Sequence, residues 1–490
     1  MKQILIILLI LLSFSTFAQF DKYLLSYRFT ATGQEFFPVG TISDNQDNIY
    51  TIISHRGAGS AYIGDSIYTP VTTAYNSIII KVSKNGDLLW SRHITSVNAG
   101  NVNPVSIDIV SGYLYVTIHS TATPVITTGS SIITLGNNDI LLYKLNLDGT
   151  LIWGKNICYG ATDQSASKTS MLATNNGLIL SGTFISSATF LDGDTTITSS
   201  RTRSQPFITM LDTSGHFIWI KTLINTSTAS NSSMTGITLM NNKIYVSGNF
   251  ADSLKTDIGN LKTYGSNDAF FYCMDLQGSP IWLRQIGGDG SELIFHLASE
   301  DGYIYSAGRF SSTLTVIDST ETLKATRQLS TNGSSDIMYL SYDSLGVLQF
   351  LKGYGSTSND LVLANMVRYK SLSIFSFVHL GSFTFDSFPL VNTGTSAGAV
   401  VILKNNIASS VITITGLSAT SSSARDICFN ASGDLICAFF TNSATYSIND
   451  QVFNALGSRD LIFVKFISTN KIISNEDKVL KLNNKTIRLN

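Results

Sequence analysis

Asn267-Asp268-Ala269-Phe270-Phe271-Tyr272, followed by a turn glycine at Gly278 and by Trp282, is the stretch that decides the fold of this chain. An aromatic-rich apolar run, a glycine where the backbone must reverse, and a second run ending in tryptophan describe two antiparallel strands joined by a hairpin. The arrangement recurs at Asn76-Ser77-Ile78-Ile79-Ile80-Lys81 with Gly86 and Trp90, and at Asn138-Asp139-Ile140-Leu141-Leu142-Tyr143 with Gly149 and Trp153. It recurs again at Gln205-Pro206-Phe207-Ile208-Thr209 with Gly215 and Trp219, so all four tryptophans stand four residues after a turn glycine. Weaker copies follow. Ser335-Asp336-Ile337-Met338-Tyr339 leads to Gly346 with Phe350 in the tryptophan place, Ala397-Gly398-Ala399-Val400-Val401 has lost the glycine turn, and Arg459-Asp460-Leu461-Ile462-Phe463-Val464 runs toward the C-terminus.

The copies start 62 to 68 residues apart, room for four strands and their turns. A second strand pair recurs between them. Its first member is apolar: Pro38 to Ser43, Pro104 to Val110, Thr169 to Thr174, Gly236 to Met240, Leu293 to Ser299, Leu361 to Val367 and Arg425 to Phe429. Its second member follows a turn, as in Ile244-Tyr245-Val246-Ser247-Gly248 and Tyr303-Ile304-Tyr305-Ser306. Asp47-Asn48, Ser111-Gly112, Asn176-Gly177, Asn242-Lys243 and Asp301-Gly302 supply two-residue hairpin chemistry. The expected fold is all-β: a seven-bladed β-propeller of four-stranded antiparallel blades over residues 19–470. The seventh copy lacks a tryptophan-type fourth strand. Tyr23-Leu24-Leu25-Ser26-Tyr27-Arg28-Phe29, aligned with Tyr27 in the tryptophan place, would supply it and close the ring, with Lys471-Ile472-Ile473 as a rival for the same edge.

Residues 1–18 read as a signal peptide: Lys2, an apolar run from Ile4 to Leu12, and Thr16-Phe17-Ala18 before the cut. No later stretch is apolar enough to span a bilayer as a helix, so a secreted or cell-surface location is expected, with no transmembrane segment. Charged residues make up 13% and the net charge is −1, which gives no electrostatic footprint for nucleic acid. Among the cysteines, Cys428 and Cys437 flank a turn at Asn430 to Asp434 and are a candidate cross-strand disulfide, the other reading being two buried thiols. Cys158 and Cys273 read as core thiols.

The Ile244 to Phe250 and Asn267 to Phe271 segments resemble the bacterial secreted β-propeller repeat known as the SBBP repeat, of the Bacteroidetes type. The resemblance covers residues 20–470 and implies a fold and an exported location, with little chemistry. Such proteins often carry a C-terminal sorting domain; residues 471–490 resemble only the lead-in to one.

Gly394-Thr395-Ser396-Ala397-Gly398 matches a nucleophile elbow, but a propeller strand rather than a helix should follow it. The histidines, His55, His93, His119, His216, His296 and His379, lack metal-ligand spacing, although His296 could face the channel. Gly287-Gly288-Asp289-Gly290-Ser291-Glu292 and Asp192-Gly193-Asp194 offer oxygens suited to Ca²⁺ but read as turns. Asn225 and Asn430 stand in Asn-x-Ser/Thr sequences, and the tryptophans read as packing anchors. No cofactor or metal is expected. One mouth of the ring should carry the ligand, through Asn103, Asp163, Asp289, Glu292, Asp360 and Arg425 on the segments leading into the first strands. The expected function is an exported, non-catalytic binding or adhesion scaffold for protein or glycan. The alternative is an extracellular glycan hydrolase or lyase with carboxylates from different blades, Asp289 and Asp360 first.

Overall fold

The structure is a computed structural model. It describes residues 22–31, 35–57, 59–69, 73–96, 100–126, 138–160, 171–190, 195–198, 203–227, 231–317, 326–361, 365–417, 420–449, 451–456, 458–467, 479–482 and 485–488. Residues 1–18, read above as a signal peptide, and Lys471-Ile472-Ile473 lie outside them. Every regular element among the described residues is a β-strand, and each pairing within the sheets is antiparallel.

The hairpins assemble into four-stranded meanders. In the first, Glu35–Ser43, Ile49–Arg56, Tyr75–Val82 and Leu88–Ser96 pair in chain order. Units of the same order begin at Val102–Val110, Met171–Thr174, Ser233–Met240, Glu292–Glu300 and Met366–Tyr369. The last consists of Ser422–Phe429, Leu435–Thr441 and Arg459–Ile467, and its fourth place is taken by Lys22–Ala31, paired from Lys22↔Ile467 to Ala31↔Arg459. The register puts Leu24 opposite Lys465, the position that Trp282 holds opposite Cys273. The tryptophan place therefore falls three residues before Tyr27.

Third strands such as Asp268–Asp275 are buried along almost their whole length. Both faces of each sheet are covered, so these strands read as continuous apolar runs rather than alternations. The clusters that result are built across units; one joins Ile374 and Ile402 of one meander to Ile427, Phe439 and Ile462 of the next.

The tryptophans tie consecutive units together. Trp90 donates its indole N–H to the Leu147 carbonyl, Trp219 to Leu276 and Trp282 to Ser344, each two residues before the next unit's turn glycine. That glycine lies under the ring. A Cβ on Gly149 would come within 2.9 Å of Trp90, and one on Gly346 within 2.9 Å of Trp282. Both glycines also have φ near +80°, at 83° and 79°, which an L side chain rarely adopts. Arg92 and Arg284 lie 5.3 and 5.5 Å from the Trp90 and Trp282 ring centroids and donate Nε–H to the Gly149 and Gly346 carbonyls. The anchor and the glycine disappear together: Phe350 replaces tryptophan in the unit before the one that turns instead through Asn405 and Asn406, both at positive φ. A lysine repeats the link. Lys81 donates to Leu147, Lys144 to Thr213, and Lys465 of the last unit to Lys84 of the first.

The sequence reading omits one element. Between second and third strands most units send out a short hairpin, and in most cases it pairs with the outermost strand of the preceding sheet: Leu314–Ile317 on Pro280–Gly288, Thr445–Ile448 on Ile407–Gly416, and Ala61–Ile63 on Lys22–Ala31. Turn positions are corrected as well. Ser111-Gly112 and Asp301-Gly302 stand as read, whereas the fourth unit turns at Asn241-Asn242 and the third at Asn175-Asn176, each one residue earlier. The first turn is a wider loop closed by Asp44, with Asp47 at φ 66°.

The Cys428–Cys437 bridge is not made: both are free thiols. Cys428 pairs with Ile436 and Cys437 with Ile427, so the two side chains leave opposite faces of the sheet and join different clusters. Burial pushes both thiols far above the usual range, which makes them unreactive in the folded chain. Unfolding without reductant should expose four titratable thiols per chain; two would establish the bridge.

Candidate functional site

Each first strand touches the first strand of the next unit, and Glu35–Ser43 touches Ser422–Phe429. Ser43 Oγ donates to the Phe429 carbonyl and the Ser432 amide to Asp47, so this last contact is hydrogen-bonded. Between these strands lies a cavity of about 370 Å³ lined by residues of every one of them. The strands reach it through a shared irregularity. Register shifts occur at Pro38/Gly40, Pro104/Ser106, Met234/Gly236, Ile294/His296 and Ala424/Asp426, one bulge in each of these strands. A bulge inserts a residue and re-aims the side chains after it.

The cavity wall is mixed in character. Arg425 is braced by Ser423 Oγ at 2.8 Å and lies over the Phe37 ring at 4.8 Å. Arg368, on the neighbouring first strand, is paired with Glu300 at 2.9 Å and lies 4.0 Å over Tyr305. Asp108 accepts the amides of Ala173 at 2.7 Å and Ile109 at 2.8 Å, and burial pushes its carboxyl up to about 6. His296 and Asp426 occupy the same place after the bulge in their two strands, and both line the cavity. Two arginines backed by aromatic rings, with acids and hydroxyls opposite, can hold a small polar ligand by directed hydrogen bonds while an apolar flank packs on the wall.

The residues expected at the mouth are dispersed. Arg425 lines the cavity, and so does His296. Asn103 is half-buried opposite His119, within the sheet. Asp289 is exposed on the segment before its strand. Asp163 lies outside the described residues. Glu292 and Asp360 are fully buried. Asp360 accepts the amides of Ser356 at 2.6 Å and Leu380 at 3.3 Å, so its carboxylate is a loop clamp rather than a presented group. The Asn-Asp positions of the repeat do the same work: Asp336 accepts the Asn332 amide at 2.6 Å and Asp460 the Leu456 amide at 2.7 Å.

Asp108, Arg368 and Asp426 were missed. Asp108 and Asp426 follow bulges, which set which of two alternating faces meets the cavity, and a bulge has no composition of its own. Ser396 of the Gly394 to Gly398 motif is buried and followed by the strand Ala397–Lys404, so it is no elbow. Asn225 and Asn430 are buried in the folded chain, where Asn225 donates to the Ser204 carbonyl and Asn430 to Asp434 Oδ2. Among the described residues no three His, Cys, Asp or Glu side chains gather as a metal site, and no helix is long and apolar enough to cross a membrane.

No protein-family model and no curated protein matches the chain. Among solved structures it is similar to the quinohemoprotein alcohol dehydrogenase ADHIIG of Pseudomonas putida HK5, at 9% identity over 91% of this chain and 77% of that one, with a TM-score of 0.34. It is similar to the Neurospora crassa Pan2 WD40 domain at 11% identity over 76% and 90%, with a TM-score of 0.27. To the acylaminoacyl peptidase of Pyrococcus horikoshii it is similar at 10% identity over 91% of this chain and 55% of that one, with a TM-score of 0.40. Likenesses this weak carry no argument about activity.

Proposed function

We propose that this chain is an exported, closed, seven-bladed β-propeller of the SBBP-like type, secreted or held at the cell surface, that binds a protein or glycan without turning it over. Four features support the ring: contact between each first strand and the next, the Lys465 link to the first unit, the Lys22–Ala31 strand in the last sheet, and a cavity lined by all seven first strands. The cavity carries the binding reading. Its polar groups are braced by neighbouring side chains and amides, as a rigid recognition surface requires. The enzyme reading loses its first residue pair, because Asp360 is buried and committed to two amides while Asp289 is exposed.

A printed array of oligosaccharides and surface proteins, probed with labelled protein, tests this. Binding should weaken at least about tenfold in Arg425→Ala, since a charge-assisted hydrogen bond contributes about 1.5–3 kcal/mol. The circular dichroism spectrum should stay the same. Binding indifferent to Arg425→Ala would remove the cavity as the site, and release of reducing ends from bound glycan would replace the scaffold with an enzyme.

A further inference from the structure

Glu292 is fully buried, and no side chain hydrogen-bonds to either carboxyl oxygen; the Gly288 amide is the one donor beside it. The amide of Glu292 itself donates to the Asn267 carbonyl of the preceding unit at 2.8 Å, which anchors it in the seam between two meanders. Asp268, the next residue on that side, is also fully buried. Its Oδ2 accepts the Tyr264 amide at 3.1 Å and Gln285 Nε2 at 2.5 Å, and its Oδ1 has no partner. The two acids sense each other: burial first, and then the charge of Asp268, push Glu292 up to about 8, with a further push from Asp289 and some relief from the Gly288 amide. Burial raises Asp268 as well.

The next seam carries the same pair and resolves it differently. Asp360 stands where Glu292 does, beside Asp336, but it accepts the Ser356 and Leu380 amides. Glu292 has only the Gly288 amide where Asp360 has two, and burial penalises two ionised carboxylates side by side in a dry seam. Something must neutralise one of them. The other groups nearby do not. Tyr264 is a phenol pushed up by burial and by Asp268. Asp289 adds negative charge, and Phe310 is the cross-strand partner of Glu292. Arg309, opposite Leu293, alternates to the other face of the sheet. A cation is poorly served. No third ligand side chain gathers here among the described residues, and Asp268 Oδ2 lies 2.0 Å from where a Cβ on Gly287 would stand.

We propose that Glu292 and Asp268 share one proton, Glu292 donating to Asp268 Oδ1, and that this makes the seam between these two units a pH-sensitive latch. The latch is closed while the proton is held and loosens when Glu292 ionises. In the unfolded chain a glutamate ionises near 4.5, in this seam near 8. The stability that the pair contributes is complete below about 4.5, declines as pH rises, and is gone above about 8.

Thermal melting of the wild type and Glu292→Gln, at matched ionic strength from pH 5 to 9.5, reads this directly. The glutamine supplies an uncharged N–H in place of the proton. The wild-type Tm should fall with pH relative to the variant and level off above about 8, with the variant the more stable at pH 9. Parallel profiles overturn the proposal. So does a rise in wild-type Tm on adding Ca²⁺ or Mg²⁺ that Glu292→Gln abolishes, which would mean a bound cation instead. Should Glu292→Gln not fold, Asp268→Asn serves: without its charge the decline should end at lower pH, and an unmoved profile overturns the latch.

Discussion

Trp282→Ala should lower the stability of this chain by about 3–5 kcal/mol, read as a shift of the guanidinium midpoint at unchanged slope. The indole is 7% exposed, sits in a cluster with Tyr245, Phe271 and Tyr342, and joins two units through its bond to the Ser344 carbonyl. Its removal leaves a cavity in the seam, an unanswered carbonyl, and Arg284 without the ring it lies over. Gly346→Ala attacks the same joint from the other side. There the added Cβ would meet both a φ of +79° and the indole 2.9 Å away. If the tryptophans were ligand platforms instead, Trp282→Ala would leave the midpoint within about 0.5 kcal/mol, as surface substitutions do.

Deleting residues 1–31 should have a still larger effect: loss of the cooperative melt, or a Tm lowered by at least about 10 °C, with elution as larger species. The deletion strips Arg459–Ile467 of its outer partner and Ala61–Ile63 of the strand on which it pairs. The uncovered strand carries Leu461, Ile462, Phe463, Val464 and Phe466, all fully buried in the intact chain. A synthetic peptide covering residues 20–31 should restore the melt by filling the vacant edge. An unchanged melt and elution volume would instead mean that Lys471-Ile472-Ile473 fills it.

The strand series was legible because it is local. Alternation, turn glycines and the tryptophan spacing are properties of segments of about ten residues, and the pairings follow them closely. The N-terminal strand was found for the same reason, although its register was not. The bulge between Leu25 and Tyr27 accounts for one of the three residues by which the alignment differs. The extra hairpins went unread because their strands are mostly three or four residues long and gain their stability from the preceding unit's edge, not from their own sequence.

The candidate site was far less legible. Glu292, Asp360 and Arg425 occupy comparable stretches before or within first strands, yet two are buried between units and one lines the cavity. Polarity near a strand's start does not separate these outcomes. The bulge and the neighbouring unit do.

By itself, then, the sequence determined that this chain is all-β, where its hairpins lie, and which glycine and tryptophan recur in each of the stronger copies, because those features depend on backbone geometry within a few residues. Only the tertiary structure decided that each tryptophan rests on the next unit's glycine rather than its own. Likewise, only it decided that Cys428 and Cys437 face apart, and that Asp108, His296, Arg368, Arg425 and Asp426 meet around one cavity. Those outcomes depend on which face of one sheet packs against another about 60 residues away, and a period of two leaves that choice open until a bulge or a neighbour makes it.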